Sequence, residues 1–80
     1  MSRVKARIVR SAIGSERIAY ITTAAGDSAE VLLSAAQTGF NHVLAAEVAR
    51  DNNNVLVEFP QETSSGYWRV WVNKNQILPE

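Results

Sequence analysis

Alternation of apolar and polar residues is the main pattern along this chain, and turn-forming clusters interrupt it at intervals of roughly 11 to 14 residues. Alternation with a period of two is typical of a strand with one buried and one solvated face. The clusters are built mainly from glycine and short polar side chains, residue types that favour turns. They fall at residues 14–16, 26–28, 38–41, 51–54 and 61–66. This rhythm predicts a meandering antiparallel sheet.

Four segments between the turns carry the clearest strand signals. In the first, Val4, Ala6 and Ile8 alternate with basic residues, and the other three are rich in β-branched and aromatic side chains, which favour strands. We expect the second segment to pair with the first across the turn at Gly14. The four segments are residues 4–8, 18–23, 55–59 and 67–72.

Two further segments are ambiguous between strand and helix. Residues 29–36 follow Asp27, with Glu30 three places on and Gly39 beyond the segment, as in a capping box and a helix C-terminus. Residues 42–50 also contain good helix formers. Because the turn rhythm continues through both segments, we predict strands. In the second of them we expect Leu44, Ala46 and Val48 to form one face, which meets Val55, Val57 and Phe59.

The predicted fold is therefore a single all-β domain over residues 1–80, a six-stranded antiparallel meander or partly open barrel. The alternative is an α+β fold with one or two helices in residues 28–50, arranged as a winged helix-turn-helix. Ala35 and Gly39 have the spacing of that motif's turn. Against it, Ser34 and Thr38 occupy positions that should be apolar.

Composition adds an uneven distribution of charge to a chain whose net charge is zero. Residues 1–17 contain five basic residues and one acidic residue, whereas the remainder contains three basic and seven acidic residues. The zero net charge argues against wholesale electrostatic binding of nucleic acid. A molecule polarised in this way can also attract its own opposite end.

The small size of the chain favours self-association. An 80-residue chain buries only about 60% of the surface that its unfolded form exposes, and small domains usually gain support from disulfides, a metal or oligomerisation. It has no cysteine and a single histidine, so we expect neither disulfides nor a metal site, but a homo-oligomer. No signal peptide and no transmembrane segment is evident, so the expected location is the cytoplasm.

The second half of the chain resembles an SH3-like small barrel of the Tudor or chromo-like kind. The matching residues are Ala46-Glu47-Val48, the polar turn 51–54, the strand Val55-Leu56-Val57-Glu58-Phe59, and Trp71-Val72 running into residues 73–77. Asn73 stands where members of that family usually have proline. The resemblance covers residues 42–78 and implies a barrel that binds peptides, modified lysines or nucleic acid through exposed aromatic side chains.

The strongest candidate binding site is the aromatic strand near the C-terminus. Because side chains alternate along a strand, Tyr67, Arg69 and Trp71 share one face. The opposite face is wholly apolar, and we expect it to be core; its members are Trp68, Val70 and Val72. Tyrosine, tryptophan and arginine are the residues most enriched at binding hot spots. The outward set predicts a surface for self-association, for intramolecular packing or for a foreign ligand.

A secondary candidate is the basic patch of Arg3, Lys5 and Arg7, which point the same way from one strand. Their spacing of about 7 Å could follow phosphates, so a nucleic-acid partner is the second hypothesis. The competing interpretation is an edge strand whose charges discourage unwanted pairing.

Catalysis has the weakest support in the sequence. His42 is the one histidine, the residue type best suited to proton transfer at neutral pH, and the serines lack a recognisable base at a diagnostic spacing. We therefore predict a binding module that is not an enzyme and needs no cofactor. A small enzyme with a site between subunits is the third hypothesis.

Overall fold

The computed structural model describes residues 1–12 and 14–79, which form seven strands and two short 3₁₀ helices. The strands are β1 (Ser2–Lys5), β2 (Arg7–Arg10), β3 (Glu16–Thr22), β4 (Ser28–Ser34), β5 (His42–Arg50), β6 (Asn54–Glu58) and β7 (Arg69–Asn73). The 3₁₀ helices are Ala35–Gln37 and Lys74–Gln76. The all-β prediction is confirmed, and the winged helix-turn-helix alternative is wrong.

The strands form two antiparallel sheets that do not close into a barrel. One sheet has four strands in the order β1-β5-β6-β7, and the other has three in the order β2-β3-β4. Their inward faces supply one apolar core, whose largest member is Phe59. The buried apolar residues are Val4, Ala6, Ala19, Ile21, Val31, Leu33, Val43, Ala45, Val55, Val57, Phe59 and Val72.

Both ambiguous segments are strands, as predicted. In β4, Val31 and Leu33 are buried while Glu30, Leu32 and Ser34 are exposed, which is the period-two pattern of a strand. All seven residues of β4 pair with β3. These cross-strand contacts outweigh the local preference for a helix, because strand formation depends mainly on packing against neighbouring strands.

The predicted core face of β5 is wrong. Val43 and Ala45 are buried, whereas Leu44 is only partly buried and Val48 is exposed. β5 pairs with β1 over its first half, and the buried Val4 lies directly opposite Val43, so these two side chains share the inward face. The pairing with β6 then shifts register at a bulge between Glu47 and Ala49, which ends the simple alternation.

The N-terminal segment forms two strands where one was predicted, which makes seven strands instead of six. β1 pairs with β5 in one sheet and β2 pairs with β3 in the other, so the chain passes between the sheets at Ala6. Ala6 is buried, and its backbone N–H donates to the carbonyl of Asn41 at 2.9 Å. A small side chain suits this junction because both inward faces converge on it.

Backbone hydrogen bonds from loops tie three strand edges to the rest of the molecule. Leu78 N–H donates to the Arg3 carbonyl at 2.8 Å, which fastens the C-terminal segment along β1. Ala24 N–H donates to the carbonyl of Trp71 in β7, also at 2.8 Å. Ser64 N–H donates to the carbonyl of Glu30 in β4 at the same distance. Edges covered in this way are poor templates for unwanted pairing.

Candidate functional site

Exposed aromatic side chains concentrate where the chain enters β7. Tyr67 is 65% exposed, Trp68 48% and Trp71 41%. Arg69 lies between them in sequence and is also exposed. We call these four residues, Tyr67, Trp68, Arg69 and Trp71, the aromatic surface. Single exposed apolar residues are ordinary, but three large aromatic side chains within five residues are not.

Arg69 is held in place by a cross-strand ion pair. It lies directly opposite Glu58 in β6, and its Nε donates to Glu58 Oε1 at 2.8 Å. Both side chains are exposed, so solvent screens the pair and its contribution to stability is small. Its structural effect is to keep the guanidinium on the outward face of the four-stranded sheet.

Trp71 extends this outward face with an apolar row. Leu56 of β6 lies directly opposite Trp71, and Ala49 of β5 lies opposite Leu56 on its other side. Directly opposed residues share one face of a sheet, so the three side chains form a row across β7, β6 and β5. The indole of Trp71 is the member that rises highest from this row because it is the largest.

Tyr67 lies just before β7, in a turn that its backbone helps to close. Tyr67 N–H donates to Thr63 Oγ1 at 3.2 Å, and Thr63 N–H donates to the Tyr67 carbonyl at 2.8 Å. Gly66 supplies the left-handed residue that the turn requires, with φ of 86°. Tyr67 borders an open cleft of about 320 Å³ that also includes Asp27 and Ser28.

The predicted core face of this segment is only partly right. Val72 is buried and Val70 is half-buried against the core, but Trp68 is exposed. β7 begins at Arg69, so the strand alternation does not extend back to Trp68. The nearby Gly66 is the sequence signal that could have indicated this later start of the strand. Trp68 is therefore grouped with the exposed aromatic residues, whereas sequence reasoning placed it in the core.

The predicted basic patch is divided between β1 and β2. Arg3 donates a side-chain hydrogen bond to the Pro79 carbonyl, and the bend at Ala6 separates it from β2. Lys5 and Arg7 both line an open cleft of about 370 Å³. The Arg7 guanidinium lies over the ring of Tyr20, 4.4 Å from its centroid. Lys5 and Arg7 thus share one cleft, while the Arg3 guanidinium contacts the C-terminal segment.

Residues suited to catalysis or metal binding are sparse. Among the described residues, no group of three or more histidine, aspartate or glutamate side chains could hold a metal ion. His42 Nδ1 lies 3.4 Å from Asn41 Oδ1, and the side chain is partly exposed.

Across residues 1–12 and 14–79, no helix is long and apolar enough to cross a membrane.

The bulge of β5 carries a second exposed ion pair, which perturbs the titration of Glu47. Arg50 donates from Nε at 3.2 Å and from Nη2 at 2.7 Å to the Glu47 carboxylate. These hydrogen bonds lower the pKa of Glu47 below its ordinary value and raise that of Arg50. The pair therefore favours the folded state above the unfolded pKa of Glu47, and this contribution is lost as the pH falls through the folded pKa.

We predict that Arg50→Gln returns the pKa of Glu47 toward its ordinary value, because the charged hydrogen-bond donors are removed. Carboxyl-carbon NMR titration of Glu47 measures this shift. Arg69→Gln is the control, since it breaks the other ion pair and should leave Glu47 unchanged. Identical Glu47 titration in wild type and Arg50→Gln would contradict the assignment. Little change in thermal stability is expected, because both side chains are exposed.

Comparison with known proteins supplies no relative for this chain. No family model matches the sequence, and no curated protein or solved structure matches it at a significant level. The resemblance of residues 42–78 to SH3-like barrels therefore stays a prediction. Function has to be argued from the chain's own surface.

Proposed function

We propose that this chain is a binding module that recognises a peptide segment of a partner protein through the aromatic surface. The observation that carries the proposal is the exposure of Tyr67, Trp68 and Trp71 around Arg69. Tyrosine, tryptophan and arginine dominate binding hot spots because they combine large apolar area with hydrogen-bonding groups. When a partner covers a water-exposed cluster of these residues, the buried apolar area contributes favourably to the free energy of binding.

The local backbone supports such a role because it presents the aromatic side chains from an anchored segment. Trp71 accepts a hydrogen bond at its carbonyl from Ala24, and Trp68 accepts one from Phe59 N–H at 2.9 Å. The Tyr67 backbone is tied to Thr63 by two hydrogen bonds. A platform that is already ordered loses little conformational entropy when it binds.

The chemistry of the surface favours a peptide with apolar side chains. The row formed by Trp71 and Leu56 offers apolar contact on one side of Arg69, and the cleft beside Tyr67 offers a recess with both polar and apolar walls. The charge of Arg69 is already balanced by Glu58, so the ligand need not be acidic. We therefore expect apolar and aromatic peptide side chains to provide most of the affinity.

We predict that peptides selected by the wild-type chain from a random library displayed on phage depend on Trp71. Titration calorimetry of a selected peptide should show at least a tenfold loss of affinity for Trp71→Ala, because truncating a hot-spot aromatic costs about 2 kcal/mol or more. Tyr67→Ala and Trp68→Ala should each weaken binding as well. Circular dichroism should show the same fold in all variants, since the three side chains are exposed.

Phe40→Ala is the matched control, because Phe40 is also a large exposed aromatic residue but precedes β5 and lies outside the aromatic surface. It should bind the selected peptide as the wild type does. Failure to select any peptide, or equal losses in Phe40→Ala and Trp71→Ala, would refute the proposal. A wild-type oligomer that dissociates in Trp71→Ala would instead assign the aromatic surface to self-association.

A further inference from the structure

An apolar row crosses the outward face of the three-stranded sheet. Val9 of β2 lies opposite Ile18 of β3, which in turn lies opposite Leu32 of β4. Their neighbours Ala19 and Val31 are buried on the inward face, so the row points away from the core. Leu32 is 48% exposed, and the other two members are partly exposed. Three branched side chains here contribute little to the core.

A charged row lies beside the apolar row on the same face. Arg7 of β2 lies opposite Tyr20 of β3, which lies opposite Glu30 of β4. Arg7 rests on the Tyr20 ring, and within the described part of the chain neither Arg7 nor Glu30 forms an ion pair. The row therefore has a positive end and a negative end, about 10 Å apart across two strand spacings.

The polarity extends beyond this row to both edges of the sheet. Lys5 lies close to β2 in sequence and lines a cleft with Arg7, and this cleft reaches across to Tyr20 of β3 and Ser28 of β4. Asp27 is exposed just before β4, on the same edge as Glu30. Within the described residues no ion pair is formed by Lys5 or Asp27. One edge of this face is thus basic and the other acidic, with the apolar row running between them.

From this arrangement we propose that the chain forms a symmetric homodimer through the outward face of β2, β3 and β4. A half-turn about an axis parallel to β3, midway between two facing sheets, places β2 of one copy over β4 of the other. Arg7 then faces Glu30 of the partner subunit, and Val9 faces the partner's Leu32. Ile18 and Tyr20 each lie near their own symmetry mates. A twofold interface requires such self-complementarity, since each patch must recognise itself.

Edge-to-edge pairing of two β2 strands is the main competing arrangement. It would bring Arg7 and Arg10 of one copy beside the same residues of the other, and like charges oppose such pairing. Face-to-face packing instead sets each basic edge against an acidic edge. Three short strands offer less area than the roughly 800 Å² per partner of a standard interface, so we expect a weak dimer that dissociates on dilution.

The decisive experiment is a charge-swap series followed by sedimentation velocity over a range of protein concentrations. The wild type should show a concentration-dependent shift from monomer to dimer. Arg7→Glu and Glu30→Arg should each weaken dimerisation at least tenfold, because each places like charges in contact. The double variant carrying both substitutions should restore the dimer, which a merely misfolded variant could not do.

Two controls separate this interface from other effects of charge and from the proposed peptide site. Lys74→Glu makes the same change in net charge as Arg7→Glu but lies outside the three-stranded sheet, so it should leave the dimer intact. Trp71→Ala should also leave the dimer intact, since Trp71 belongs to the other sheet. Conversely, Arg7→Glu should leave peptide binding unchanged, so the two proposals fail independently.

Several results would overturn the dimer. A wild type that stays monomeric at the highest concentration reached would contradict the proposed dimer. Single variants that dimerise normally would also contradict it, and so would a double variant that stays monomeric. Stronger association of Arg7→Glu would point instead to edge-to-edge pairing through β2, where the substitution relieves repulsion.

Discussion

Phe59→Ala is expected to lower the free energy of unfolding by about 3–5 kcal/mol, which is most of the stability of a domain this small. Phe59 is the largest fully buried side chain and is only 1% exposed. It follows β6 at the centre of the core, where its N–H also donates to the Trp68 carbonyl. Removing the ring would leave a cavity that the surrounding valines cannot fill without moving both sheets.

Urea denaturation monitored by circular dichroism measures this effect, and the chain supplies its own matched control. Phe40 is 96% exposed, so Phe40→Ala makes the same chemical change at a site that buries almost nothing. Its free energy of unfolding should stay within about 0.5 kcal/mol of wild type. Comparable losses for the two variants would mean that Phe59 does not occupy the core position described above.

Leu33→Ala is expected to cost about 2–5 kcal/mol, because Leu33 is 2% exposed and packs on the inward face of β4. Thermal and urea unfolding should both report the loss. The register of β4 against β3 fixes which side chain points inward. Leu33 lies opposite Arg17, and its neighbour Leu32 lies opposite Ile18 on the other face of the sheet.

Leu32→Ala provides the contrast, since Leu32 is next in sequence but 48% exposed on the outward face. At low protein concentration it should unfold with nearly the stability of wild type. At high concentration it should weaken the proposed dimer, in which Leu32 faces Val9 of the partner subunit. Reversed effects, with Leu32→Ala the more damaging to the monomer, would indicate that β4 pairs one residue out of register.

Local patterns in the sequence were sufficient to locate most of the strands approximately. The turn clusters at residues 14–16, 26–28 and 51–54 separate strands in the structure, and β-branched residues fill the segments between them. A turn depends on a few neighbouring residues, and alternation reflects a strand's own geometry, so both can be recognised without knowledge of the fold. The predicted outward position of Arg69 and Trp71 also follows from alternation alone.

The errors arose where a distant segment determines the outcome. For β5, either alternating set of side chains could have been buried, and the pairing of Val43 with Val4 decided between them. β7 likewise starts two residues after the predicted start at residue 67, because its pairing with β6 begins only where Arg69 lies opposite Glu58. Neither contact can be recognised within a window of adjacent residues.

The sequence by itself determined the four clearest strand segments, the turns between strands and the separation of basic and acidic residues, because each depends on residue type and short-range order. Only the tertiary structure decided that the first strand divides at Ala6 between two sheets, and that Arg7 and Glu30 lie across one face from each other. Both follow from cross-strand register, which joins residues far apart in the chain and is selected by how the whole core packs.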